Sequence, residues 1–267
     1  MAKGNLTACL SFMLPHEGGY TNDSRDPGNW TGGKVGKGVL KGTKYGIAAN
    51  THPNLDIKNL TIGDAEAIYR REYWNVIMGE SLPYGVDLAT FDPAVNSGPG
   101  RALRWLQAAI GAKADGKAGA ETILKASKAD GKKTIQAIYA ARLPFMKSLA
   151  IWKTYKNGWS RRLAEGEAKA VTMWLTKGGP IDAHTTRVLK EEAGKAEDKA
   201  AQQKTQAGGT AGAGGVAGGG DALINGDPNW LLIGGIAAAV VVVAVLLVVH
   251  SRKNSERALA YSAAAAG

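Results

Sequence analysis

Apolar residues recur at helical spacing through much of the first 175 residues, and glycines close the runs, so the chain has little room for an extensive sheet. Leu6, Leu10, Met13 and Leu14 fall at i, i+4, i+7 and i+8, the stripe of one buried helical face, and Gly18-Gly19 ends it. A second stripe, at positions 102, 103, 105, 106, 109 and 110, stops at Gly111. Further helices are expected from about Lys132 to Trp152 and from Glu165 to Leu175, and Thr61-Ile62-Gly63-Asp64 has the form of a cap for a helix over Ala65 to Trp74. Between Lys34 and Lys44 glycines alternate with Val35, Val39 and Leu40, which suggests a small β-hairpin or irregular flap. Cys9 is the only cysteine, an expected packed thiol in the first helix, so no intramolecular disulfide contributes and packing alone must hold the fold.

The first stripe ends in His16-Glu17-Gly18-Gly19-Tyr20, which sets one carboxylate where a hydrophobic face gives way to a glycine turn. Glu17 lies four positions after Met13, at the negative end of the helix dipole, so burial and dipole would both favour its protonated form. That is the environment of a general acid, although a surface glutamate before a helix stop has the same local sequence. Nine residues on, Asp26 sits in a turn-rich loop, Asn22 to Trp30, and Thr43-Lys44-Tyr45-Gly46-Ile47 follows the expected flap. Hydrolysis of a glycosidic bond commonly needs one carboxylic acid for the leaving oxygen and a second carboxylate that activates water or stabilises positive charge. Glu17 and Asp26 supply such a pair, and a turn-forming role for Asp26 is the alternative.

Five ordered blocks carry a resemblance: Glu17-Gly18-Gly19-Tyr20, Asp26-Pro27-Gly28, Thr43 to Ile47, Tyr73-Trp74, and Phe91-Asp92 through Asn96-Ser97-Gly98-Pro99. Together they resemble the glycoside hydrolase family 108 muramidases of bacteria and their phages, from about Leu6 to Leu175. The resemblance implies a lysozyme-like helical catalytic domain that hydrolyses peptidoglycan, with Glu17 as the essential glutamate. The order of Glu17, Asp26 and Thr43 is similar to the catalytic triad of phage-type lysozymes, although the insertion between Asp26 and Thr43 is long. Tyr20, Tyr45 and Asn96 are candidates for the sugar groove. A lytic transglycosylase and a non-catalytic wall-binding or virion protein are the alternatives.

Charge is divided along the chain. Residues 1–98 hold 9 Lys+Arg against 10 Asp+Glu, and residues 99–192 hold 18 against 8. A basic face suits an anionic envelope, lipid or nucleic acid, and charge alone does not choose among them. Trp105, Trp152, Tyr155, Trp159 and Trp174 interleave with these cations, either as core or as a stacking platform. The Asp115-Gly116 turn, with Ala141-Arg142-Leu143 and Gly158 to Leu163, resembles the peptidoglycan-binding module that accompanies these muramidases. His16, His52, His184 and His250 show no metal-ligand spacing, so neither metal nor cofactor is expected, and nucleic acid is not an expected partner.

These features give five expected segments: a catalytic domain at 1–98, a basic helical module at 99–192, a charged then glycine-rich linker at 193–229, a transmembrane helix at 230–250 and a cytoplasmic tail at 251–267. Leu231 to Val249 contains no charge and is long enough to span a bilayer as a helix. With Arg252, Lys253 and Arg257 after it, the expectation is a single-pass inner-membrane protein whose catalytic part lies on the periplasmic side. No signal peptide is recognisable at the start of the chain, so a phage-type endolysin working with a separate pore-forming lysis protein is the expected setting.

Overall fold

The computed structural model describes residues 4–214 and 251–267. Among these the fold is mainly helical, with nine α-helices and one two-stranded sheet. In chain order the elements are α1 (Leu6–Glu17), β1 (Thr43–Lys44), β2 (Ile47–Ala48), α2 (Ile62–Tyr69), α3 (Val86–Ser97), α4 (Pro99–Ala109), α5 (Ala120–Lys128), α6 (Gly131–Ser148), α7 (Trp152–Thr176), α8 (Ala183–Gly214) and α9 (251–266). They form two compact units, Met1–Met146 with Met173–Gly179, and Lys147–Thr172 with Pro180–Gly267. The division expected near residue 98 falls inside the first unit, where α3 packs closely on α4, and α8 runs without a break through residue 192.

In the first unit α3 is the central helix: every residue from Val86 to Ala94 is buried. Leu6, Leu10 and Met13 of α1 are buried as the stripe requires, each such side chain contributing roughly 1.5–3 kcal/mol. The expected cap forms at α2: Thr61 Oγ1 accepts from Asp64 N at 3.1 Å, and Asp64 Oδ2 accepts from Thr61 N at 2.9 Å. The helix then widens into a π-turn over Arg70–Trp74, closed by Asn75 N donating to Arg70 O at 2.9 Å. Trp74 thereby reaches the core, edge-on to Phe91 with centroids 5.3 Å apart, while its Nε1 donates to Glu80 Oε1 at 3.2 Å.

The flap expected over residues 34–44 is mostly turns. Left-handed glycines at 33, 36, 38 and 42 interrupt the strand ladder, leaving one isolated bridge, Trp30 to Leu40, and placing the sheet later, at 43–48. Farther on, buried Gln107 organises the Asp115-Gly116 turn: its Nε2 donates to Asp115 Oδ1 at 2.9 Å and its Oε1 accepts from Gly116 N at 2.8 Å.

The second unit is built from α7, α8 and α9. Buried Glu167 of α7 accepts from Arg257 Nη2 at 2.5 Å and from the Tyr261 hydroxyl at 3.0 Å, and Ser251 Oγ donates to Ala200 O of α8 at 3.0 Å. Residues 251–266 are therefore a helix with its own buried face.

Among the described residues no helix is long and apolar enough to cross a membrane. The expected C-terminal transmembrane helix and the single-pass inner-membrane localisation are corrected accordingly, and the inner-membrane and pore-forming partners lose their support. Leu231 to Val249, on which those expectations rested, lies outside the described residues. The longest described helix, α8, has 32 residues and carries Arg187, Lys190, Glu191, Lys195 and Asp198, among other charges. A charge at the centre of a spanning helix costs about 2.5–3.5 kcal/mol on insertion scales, so α8 suits water rather than lipid.

Candidate active site

The site begins where α1 stops. Gly18, at φ 77, ends the helix and leaves Glu17 half-buried on its last turn. Four residues later Thr21 pairs with Thr43: Thr21 N donates to Thr43 O at 2.9 Å and Thr43 N to Thr21 O at 2.8 Å. This bridge ties the segment after Glu17 to β1. Strands β1 and β2 are joined by Tyr45-Gly46, both at positive φ (52 and 74), the backbone of a two-residue type I′ hairpin turn.

The tip of that hairpin lies against Glu17. A Cβ on Gly46 would stand 3.0 Å from Glu17 Oε2 and 2.7 Å from the Tyr69 hydroxyl, so only glycine permits this approach. The Tyr69 hydroxyl donates to Tyr45 O at 2.7 Å, holding the strained turn from below. Tyr69 is itself packed edge-on to Phe91, 6.3 Å between centroids, so the buried helix α3 supports the hairpin through one ring. Tyr73 stands one helical turn on, 5.8 Å from Tyr69. Burial raises the Tyr73 phenol above its ordinary value, and the negative charges of Glu72 and Glu17 add to the shift. Burial also acts to raise the Glu72 carboxyl, but hydrogen bonds from Arg71 and His52 outweigh it and leave that group lowered.

Thr43 and Asp26 belong to a neighbouring network centred on Asn29. Thr43 Oγ1 donates to Asn29 Oδ1 at 2.7 Å, and the buried Asn29 amide donates to Asp23 O at 3.0 Å. Asp26 is exposed and caps the short 3-10 turn Pro27–Asn29, its Oδ1 accepting from Gly28 N at 2.8 Å. Asn29 thus joins the loop that carries Asp26 to the strand that carries Thr43.

The groove candidates are held in different ways. The Tyr20 hydroxyl donates to Lys41 O at 3.3 Å, and its ring lies over Gly42. The Tyr45 ring has the Lys44 ammonium 5.3 Å from its centroid. Asn96 is exposed at the end of α3, its Oδ1 accepting from Arg142 Nη2 of α6 at 2.8 Å. Arg142 is buried and also paired with buried Asp92.

Gly46, Tyr69 and Asn29 had no assigned role in the sequence, and Arg142 stood only in a block resembling the wall-binding module. The spacing of Tyr69 and Tyr73 and the Tyr-Gly turn were visible signals for two of them, whereas no local pattern marks Asn29 or ties Arg142 to Asn96.

Residues 10–98, which include all six candidates, match the family model described as Glycosyl hydrolase 108. Among solved structures the chain is similar to that of Brucella abortus SagA, with 32% identity and a TM-score of 0.54, over 64% of this chain and 96% of that one. The chain belongs to glycosyl hydrolase family 108. This family-108 enzyme is a glycoside hydrolase, and its substrate class is peptidoglycan. No curated protein matches it.

Proposed function

We propose that this enzyme is an N-acetylmuramidase, cutting the β-1,4 bond between N-acetylmuramic acid and N-acetylglucosamine, and that Glu17 is its acid. The placement of Glu17 carries the proposal: it is half-buried at a helix end, beneath a hairpin whose glycine is needed to admit it. Protonated Glu17 gives its proton to the glycosidic oxygen as the bond to the anomeric carbon breaks. Water supplies the new oxygen at that carbon. Asp26 positions that water or counters the charge developing on the sugar. Thr43, whose hydroxyl proton is committed to Asn29, keeps oxygen lone pairs with which to orient the water. Tyr20, Tyr45 and Asn96 line the sugar groove, and the basic helices after residue 98 hold the wall polymer. Host-cell lysis of the phage type is the setting proposed on the resemblance to phage lysozymes.

Digestion of purified sacculi with mass spectrometry of the products tests this. Fragments ending in reducing N-acetylmuramic acid, lost in Glu17→Gln with the fold unchanged, are expected. Anhydro ends, which lack one water, would show a transglycosylase, and undiminished digestion by Glu17→Gln would remove Glu17 from the mechanism.

A further inference from the structure

The long insertion between Asp26 and Thr43 takes no part in the hydrolysis proposed above, yet its backbone is closely tied. Thr31 N donates to Val39 O at 3.0 Å, Gly32 N to Lys37 O at 3.1 Å, and Val39 N to Thr31 Oγ1 at 2.9 Å. Its tip is the β-turn Lys34-Val35-Gly36-Lys37, closed by Lys37 N donating to Lys34 O at 3.0 Å, with Gly36 at φ 77 in the third position. Where the two arms touch, only glycine fits: a Cβ on Gly32 would stand 2.8 Å from Lys37 O. Both arms spring from candidate residues. One leaves the turn that Asp26 caps, and the other returns through Gly42 to Thr43. Lys41 N and Gly42 N both donate to Asn29 O, at 3.0 and 3.1 Å, and the Tyr20 ring lies over the same point. A strand cleaved at Glu17 would therefore pass close to the root of this flap. From the Trp30 to Leu40 bridge, five residues at no more than about 3.6 Å each bring the tip at Val35 within about 18 Å of that root.

The chemistry of the flap differs from that of its surroundings. Residues 1–98 hold slightly more acidic than basic side chains, whereas Pro27 to Leu55 contains four lysines and neither Asp nor Glu. Two of the four are used internally: Lys41 Nζ donates to Pro53 O at 2.7 Å, and Lys44 Nζ to Lys58 O at 2.9 Å. Lys34 and Lys37 are exposed, and among the described residues neither ammonium has a carboxylate or carbonyl partner. Beside them Val35 and Val39 are 58% and 60% exposed. Two uncommitted cations and two apolar side chains thus stand on one fixed arm, an arrangement complementary to a ligand that carries both carboxylates and small apolar groups.

We propose that the flap over residues 31–39 is a specificity arm that reads the peptide stems of the substrate, Lys34 and Lys37 taking stem carboxylates while Val35 and Val39 meet stem methyl groups. The stems, unlike the sugar rings, offer free carboxylates and methyl side chains along one short extended peptide. The arm makes the enzyme prefer glycan that still carries its stems over glycan from which they have been removed. An anionic lipid surface would also attract the lysines, but the flap has no aromatic or long aliphatic side chain at its tip to anchor it among lipids. The inference rests on the proposed cleavage of peptidoglycan at Glu17.

The test measures kcat and KM of the full chain on two soluble glycan preparations from one wall, one bearing its stems and one stripped of them by an amidase, for wild type, Lys34→Gln/Lys37→Gln and Val35→Ser/Val39→Ser. Wild type should favour the stem-bearing glycan in kcat/KM by about fivefold, the worth of two exposed ion pairs. The lysine variant should lose that preference through KM, with kcat and the rate on stem-free glycan unchanged. The valine variant should lose a smaller part and keep its sensitivity to salt. Equal kcat/KM of wild type on the two glycans would overturn the arm, as would a preference that survives in a lysine variant with unchanged thermal unfolding. Lysine-dependent binding to phosphatidylglycerol vesicles without any effect on stem preference would assign the flap to a lipid surface instead. Should the double lysine variant fold poorly, Lys34→Gln alone, at the exposed tip, is read by the same ratio. Wild type that releases fragments from neither glycan would defeat the proposed hydrolysis, and titrating both glycans against the protein's tryptophan fluorescence then reads the stem preference as a ratio of Kd values.

Discussion

Arg142 Nη2 donates to Asn96 Oδ1 at 2.8 Å, so a buried guanidinium 46 positions away fixes which way an exposed amide points. With its oxygen committed to Arg142, Asn96 turns its NH₂ donors outward. Those donors suit an acetamido carbonyl or a sugar hydroxyl. Asn96→Asp keeps an acceptor for Arg142 but removes the donors, so kcat/KM on peptidoglycan should fall by about tenfold, the worth of one hydrogen bond, with thermal stability equal or higher. Unchanged kcat/KM in a folded Asn96→Asp protein would take Asn96 out of the groove. Arg142→Ala should instead destabilise the protein by about 3–5 kcal/mol in denaturant titration, because it strands buried Asp92 without its counter-charge.

Gly46→Ala should separate activity from folding in another way. The new methyl group would meet both the Tyr69 hydroxyl and Glu17 Oε2, at a position whose φ of 74 already disfavours an L side chain. Backbone strain there costs roughly 1–2 kcal/mol, and relief requires the hairpin tip to lift from Glu17. Activity should fall far more than stability, by a hundredfold or thereabouts, given how steeply rate depends on placement of a catalytic group. Tyr69→Phe, which frees Tyr45 O, should move both measurements in the same direction by less.

What could be seen in the sequence was what local interactions decide. The stripe ending at Glu17, the Thr61 cap and the Asp115-Gly116 turn each depend on residues within a few positions, and each forms in the fold. Alternating glycine and valine left a hairpin and an irregular flap both open over 34–44; glycines at positive φ at 33, 36, 38 and 42 break the ladder and give the flap, with the hairpin just after it. Arg142 with Asn96 and Asn29 with Thr43 join residues 46 and 14 positions apart, and no periodicity encodes such pairings. The apolar run at Leu231 to Val249 led to a membrane span on hydropathy alone; it lies outside the described residues, among which no helix is long and apolar enough to cross a membrane.

Glu167 anchors α9 from within the second unit, where it accepts from Arg257 and Tyr261 while itself 3% exposed. Glu167→Ala strands the largely buried Arg257 and should cost about 3–5 kcal/mol locally. Limited proteolysis should then cut within residues 251–266 first, whereas the wild-type protein resists cleavage there.

Asp87 gives the fold a specific pH dependence. It is buried at the first turn of α3, its Oδ2 accepting from Asn5 Nδ2 at 2.6 Å and its Oδ1 from Leu88 N at 2.7 Å. Burial raises its carboxyl from 3.8 to about 7, and the hydrogen bonds from Asn5 and the backbone recover only part of that shift. Between those two values the folded protein holds a proton that the unfolded chain has released, so stability falls as pH rises from about 4 to about 7 and is level above. A shift of that size corresponds to about 4 kcal/mol. Asp87→Asn carries no titrating proton and its amide can still accept from Leu88. In urea titrations the variant should match wild type within about 1 kcal/mol near pH 4 and gain on it steadily toward pH 8, to an extent set by the linkage above. A difference between the two proteins that stays constant from pH 4 to pH 8 would show that Asp87 is ionised in the fold throughout, with Asn5 and the start of α3 supplying all the stabilisation its charge needs.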